Sequence, residues 1–229
     1  MKRTLIIAAA IVLAGAMLPV SVSKLKSYDR TVDVKGLCER EVKADKVIWP
    51  IMYKVMGNDL SEVLRQTDSN NSTILEFLRD GGISAEDITV STPLISDKYA
   101  SEYGNNDRVY RFLVTNTLTV CSEDIDAVMA LQSRQSELMK KGIPTTGDTW
   151  ENKTQFKFEA LNDIKPEMIE EATGNARMAA DKFAKDSGSR IGKIKTATQG
   201  TFSIEDRDSN TPYIKRIRVV TYVTYYIRH

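Results

Sequence analysis

The stretch PEMIEEATGNARMAADKFAKDSGSRIGKIKTATQGTF, residues 166–202, decides how this chain is read. Apolar residues recur at Ile169, Ala172, Ala176, Ala179, Ala180, Phe183 and Ala184, the three-four spacing of one helix face. Most of that face is alanine, so the helix is expected to lie unusually close to whatever it covers, a sheet above all. Pro166 suits the first turn, where a missing N–H costs nothing. Glu167, Glu170 and Glu171 sit near the positive end of the helix dipole, and Lys182 and Lys185 near the negative end. Gly188 is placed to close the helix in a left-handed cap. The packed face carries no nucleophile, base or metal ligand, and on physical grounds it is scaffold.

Working outward, residues 193–205 and 213–228 form a closing hairpin around the loop 206–211. The last strand sets Ile217, Val219, Val223 and Ile227 against Arg216, Arg218, Tyr222 and Tyr226. Upstream of the helix, residues 150–160 alternate, with Trp150, Thr154, Phe156 and Phe158 on one side and Glu151, Lys153, Gln155, Lys157 and Glu159 on the other. That is a strand with one buried and one solvated face. Residues 88–98 and 108–121 read as a further hairpin. Tyr110, Phe112, Val114, Leu118 and Val120 share one face of its second strand, and Cys121 falls on the polar side. Ser122 then caps a helix expected to end at Gly142. Asp59 caps an earlier helix that should stop at Gly81-Gly82, with a break marked by Ser69-Asn70-Asn71-Ser72.

Residues 47–57, VIWPIMYKVMG, form a strand that is apolar on both faces. Such a strand is either central or part of a subunit contact. Pro50 cannot donate to a ladder and favours an edge or a bulge. Trp49, Ile51, Tyr53 and Val55 are therefore the candidate interface residues, against the alternative that both faces are covered within one chain. Paired strands separated by single helices indicate an α+β fold, mainly antiparallel, with about three helices.

At the N-terminus, Lys2 and Arg3 precede an uncharged run from residue 4 to residue 23. This segment, 1–23, reads as either a cleaved signal peptide or an uncleaved membrane anchor, with a polar spacer at 24–30 and one α+β domain at 31–229. Cleavage sites are available near Ser21-Val22-Ser23 and at Ala14-Gly15-Ala16. Both readings export everything after Lys24, to the periplasm or to the outer side of the inner membrane.

A net charge of +1 argues against nucleic acid as a partner. The single histidine, His229, excludes Ser-His-Asp and Cys-His chemistry and multi-histidine metal sites unless a second chain contributes. No phosphate-binding glycine loop occurs, and no catalytic residue, cofactor or metal site is assigned. Export makes Cys38 and Cys121 a candidate disulfide, with two separate thiols as the alternative. Glu39, Glu41 and Asp45, and Glu123, Asp124 and Asp126, are acid clusters that a hydrolase would need to bring together across a cleft.

Val32-x-Val34-x-Gly36 followed by Val42-x-Ala44-Asp45 resembles the opening signature of the SIMPL-domain proteins, which are exported bacterial proteins with a few eukaryotic relatives. Ala176, Ala180, Phe183 and Ala184, then Gly188 and Ile191-Gly192-Lys193-Ile194, resemble their second signature. Ala44 stands where many members have proline, and Cys38 where a small residue is usual. The resemblance implies a periplasmic or envelope protein of α+β fold, and carries over no enzymatic activity or catalytic residue; some members assemble into rings and some are linked to oxidative-stress tolerance. The exported, histidine-poor chain and the two-sided apolar strand from Val47 to Val55 lead to the expectation of a non-enzymatic envelope protein with a homo-oligomer or an envelope protein as partner. A thiol-linked stress protein using Cys38 and Cys121, and a carboxylate-dependent hydrolase, are the competing readings.

Overall fold

The computed structural model describes residues 30–100, 109–147, 149 and 152–228. The expected export or anchor segment lies outside them, as does Trp150. In chain order the first half contains β1 (Thr31–Lys43), β2 (Lys46–Gly57), α1 (Leu60–Asp80), β3 (Ile88–Val90), β4 (Leu94–Asp97) and β5 (Phe112–Ser122). The second half contains α2 (Ile125–Ser133), α3 (Ser136–Lys140), β6 (Thr145–Thr146), β7 (Gln155–Lys157), α4 (Leu161–Asp186), β8 (Arg190–Gln199), β9 (Ser203–Asp206) and β10 (Ile214–Arg228). The fold is α+β, and the registered strand pairs are antiparallel. The span expected as one domain divides into two compact units. One comprises residues up to Glu41, Leu161–Glu205 and Arg216 onward; the other comprises Val42–Ala160 and Asp206–Lys215.

In the second unit the sheet order is β3-β5-β2-β6, with β4 also on β5 and β7 also on β2. The pairing of β2 with β5 runs unbroken from Val47 opposite Ser122 to Gly57 opposite Phe112. Alternation decides the outcome for β2. Val47, Trp49, Ile51, Tyr53 and Val55 turn into the core, all at 8% exposure or less, beneath Val63, Ile74, Phe77 and Leu78 of α1. Trp49, Ile51, Tyr53 and Val55 are thus not an interface. A helix of the same chain fills the face that sequence alone left open to a subunit. Pro50 is central and still meets its constraint: on the far side of β2, β7 pairs residues 46–48 and β6 pairs residues 52–53, leaving Pro50 in the gap.

Helix α1 runs straight through Ser69-Asn70-Asn71-Ser72. The hydroxyls that would compete with the helix donate instead to carbonyls one turn back, Ser72 to Asp68 at 3.0 Å and Thr73 to Ser69 at 3.0 Å. Asp59 caps its start by accepting from the Ser61 and Glu62 amides. The helix expected from Ser122 to Gly142 is two short helices, α2 and α3. Asp124 caps α2 through the Ala127 amide, while Ser122 donates to Asp87 at 2.8 Å. Among the described residues of the span 150–160, the strand is the three-residue β7, paired with residues 46–48 of β2.

In the first unit the sheet order is β1-β10-β8, with β9 also paired to β10. Helix α4 starts at Leu161, so Pro166 lies inside it. The cost is one ladder bond, to the Asn162 carbonyl. The extra turn is held in this unit by Lys165, whose ammonium stands 5.7 Å from the Phe202 ring centre. The buried stripe is narrower than the periodicity suggests. Met168, Ala172, Ala176, Ala180 and Ala184 are fully buried at four-residue steps, whereas Phe183 is 62% exposed. Gly188 has φ +68°, its N–H donates to Lys185 O, and Ser189 N–H donates to Ala184 O, a complete Schellman closure. The strand expected at 193–205 begins earlier, at Arg190, and is interrupted between β8 and β9.

Candidate functional site

Reactive side chains are accounted for first. Cys38 and Cys121 are free thiols in different units, and no disulfide joins them. Cys38 points inward from β1 at 1% exposure. Burial pushes its thiol pKa up, and the Glu171 carboxylate beside it pushes the same way. A protonated, covered thiol is the opposite of the activated thiolate that redox chemistry uses. Arg40 forks between Glu167 at 2.8 Å and Glu171 at 3.2 Å. The hydrogen bond from Cys38, and then that from Arg40, holds the Glu171 carboxyl below its usual range. Cys121 is exposed on β5.

Five members of the acid clusters are likewise engaged. In the first unit Arg216 lies 3.4 Å from Glu39 and 3.7 Å from Glu41. In the second, Asp126 pairs with Lys43 at 2.6 Å and Asp124 caps α2. Asp45 accepts from the Glu159 amide at 2.8 Å and the Ala160 amide at 2.7 Å, while its own N–H donates to Lys157 O at 2.9 Å. This signature aspartate is a clamp on the chain just ahead of α4. Among the described residues no three His, Cys, Asp or Glu side chains group as a metal site.

One polar cluster had no sequence signal. Asn116, 1% exposed on the apolar face of β5, donates to Asn71 Oδ1 at 2.7 Å. The Tyr53 hydroxyl lies 2.7 Å from that same oxygen and 2.9 Å from Thr67 O. Burial raises the Tyr53 pKa, which keeps the phenol neutral and a donor. Asn71 comes from the stretch that reads as a helix break, so its polarity is spent inward. The cluster ties α1 to the sheet.

What remains open is an edge. Among the described residues β8 ends the sheet of the first unit, paired with β10 on one side and with no strand on the other. Residues 193–199 are exposed on both faces. Gly200 N–H donates to Val220 O at 2.8 Å, so alternation aims the Thr196 and Thr198 amides at β10 and the Ala197 and Gln199 amides outward. Gly192 belongs to the irregularity at the start of this strand. A side chain there would lie 2.8 Å from Tyr226 O, opposite the register shift between Tyr225 and Ile227. Thr173 and Arg177 of α4, with Gly192, Lys193, Ile194 and Tyr225, line a groove of about 400 Å3 along the strand.

Gly36 completes the geometry of the signature residues. A methyl group at this position would overlap the Ala172 carbonyl oxygen and lie 2.6 Å from Ala176 N. Val34 packs on Ala176 and Ala180, with Val32 beside them. Val32, Val34 and Gly36 of the first signature and Ala176 and Ala180 of the second are therefore the two sides of one contact between strand and helix. No curated protein matches the chain. Residues 32–221 match the model of the family described as SIMPL, protein of unknown function (DUF541). That span covers most of the chain and both signatures, and the protein belongs to the SIMPL family.

Proposed function

We propose that this is a non-enzymatic protein of the cell envelope that acts through self-assembly or by binding a protein partner. The observation that carries the reading is the free edge of β8: exposed on both faces, with outward amides at Ala197 and Gln199. Backbone groups in that state are a template for another strand. The engagement of Glu39, Glu41, Asp45, Asp124 and Asp126 and the burial of Cys38 support binding over catalysis. Placement in the envelope rests on the basic and apolar N-terminal segment, which makes the membrane itself a contact if that segment is retained. A role in envelope or oxidative-stress tolerance fits a binding protein of this kind.

The test is recovery of the full-length protein from native envelopes, followed by sizing of what accompanies it. A complex larger than one chain, found in the envelope fraction, is the expected result. A single free chain there, or a protein confined to the cytoplasm, would overturn the reading.

A further inference from the structure

We infer that the free edge of β8 and β9 pairs with the same edge of a second copy, antiparallel about a two-fold axis at Gln199. This rests on the partner-binding reading and names the partner.

Along this edge Arg190, Lys193 and Lys195 occupy one end, Thr196 to Thr201 carry no charge, and Glu205 occupies the other end. Arg190, Lys193 and Glu205 are exposed, and none has an ion-pair partner among the described residues. A basic end, a neutral middle and an acidic end are what an isologous antiparallel contact requires, because each end then meets its opposite. Taking Gln199 as its own partner brings the Lys193 and Lys195 end of one copy to the Glu205 end of the second. Ile194 and Ile204, two apolar side chains left 48% and 39% exposed, come to the same end of the contact.

Backbone parity agrees. The outward amides are at Ala197 and Gln199, so a centre at Gln199 is a hydrogen-bonded pair. Lysines on an edge ordinarily discourage pairing. Here they forbid the competing register in which the two basic ends overlap, and they favour this one. The groove lined by Arg177 and Lys193 is a weaker candidate for a separate ligand site, since both of its charged side chains are exposed surface cations.

The experiment is sedimentation velocity on the full chain in a non-ionic detergent, with Ala197→Pro, Lys193→Glu, Glu205→Lys and the double charge swap. Ala197→Pro removes an outward amide and no internal hydrogen bond, and an unchanged circular dichroism melt will verify its fold. The expected results are a dimer for the unaltered protein and a monomer for Ala197→Pro. Each single charge reversal should weaken dimerisation about tenfold, since it strikes two symmetric exposed pairs, and the double swap should restore it. A monomeric unaltered protein, a dimer indifferent to Ala197→Pro, or a double swap no better than the single reversals would overturn the inference. If the chain is monomeric but still retrieves another envelope protein in a β8-dependent manner, the edge pairing fails and the partner-binding reading stands.

Discussion

Gly36 of β1 lies so close to Ala172 of α4 that no side chain fits between them. The helix backbone, and not its side chains, is the surface against which the strand rests. An alanine methyl contributes about 0.8 kcal/mol on burial and a large aliphatic side chain about 2 kcal/mol. The stripe at Ala172, Ala176, Ala180 and Ala184 therefore stabilises through dense close-range contact more than through apolar area. Gly36→Ala should force the helix outward and cost about 3 kcal/mol, the upper end for overpacking. Urea denaturation should show a lower midpoint with an unchanged slope.

Asp45→Ala should be destabilising by about 2–3 kcal/mol, since it strips a charged acceptor from the Glu159 and Ala160 amides. Asp45→Asn keeps one acceptor oxygen and should lose about half as much. Thermal melts of the two variants beside the unaltered chain check the order.

Tyr53→Phe removes a hydroxyl and no volume. It withdraws a donor from Asn71 and Thr67 within a buried cluster, and a loss of about 1–3 kcal/mol is expected. Chemical denaturation measures it. A change below about 0.3 kcal/mol would show that the Tyr53 hydroxyl does not tie α1 to β2 energetically.

Cys38 makes an alkaline prediction. Its folded pKa is raised above the ordinary thiol value, so the folded state holds the proton more tightly than the unfolded state does. The sign follows: the contribution is complete below the unfolded thiol pKa and falls away as pH rises past about 9. Unfolding free energy should decline there, and Cys38→Ala should flatten the decline. At neutral pH a thiol reagent should label Cys121 in the native chain and reach Cys38 only on unfolding.

Where local chemistry decides structure, the sequence was readable. Gly188 does stop α4, Asp59 does cap α1, and the alanine stripe does face a sheet. Where a distant partner decides, it was not. The apolar face of Trp49, Ile51, Tyr53 and Val55 looks identical whether a subunit or α1 covers it, because burial depends on what packs there. Asn71 reads as a helix breaker until Asn116, from another strand, gives it a buried use. Asp45 reads as one of several acids, and only the fold brings it to the Glu159 and Ala160 amides. The β8 edge was invisible for the same reason: sequence names a strand, and topology determines whether anything lies beside it.

The alanine stripe has a cost in definition. Equal residues at four-residue steps are equivalent seats, about 6 Å apart along the axis at 1.5 Å per residue. Ala176 or Ala180 would accept Gly36 nearly as well as Ala172 does, so smoothness leaves the helix free to slide. The stops lie elsewhere. Met168 would strike Gly36 if α4 slipped one way, and the Gly188 closure ends the stripe the other way. Asn175 Nδ2 on Leu37 O at 2.8 Å, with the Arg40 fork on Glu167 and Glu171, sets the remaining position. Those polar contacts are a vernier on an otherwise featureless rail, and their loss should show as a shifted helix before it shows as an unfolded one.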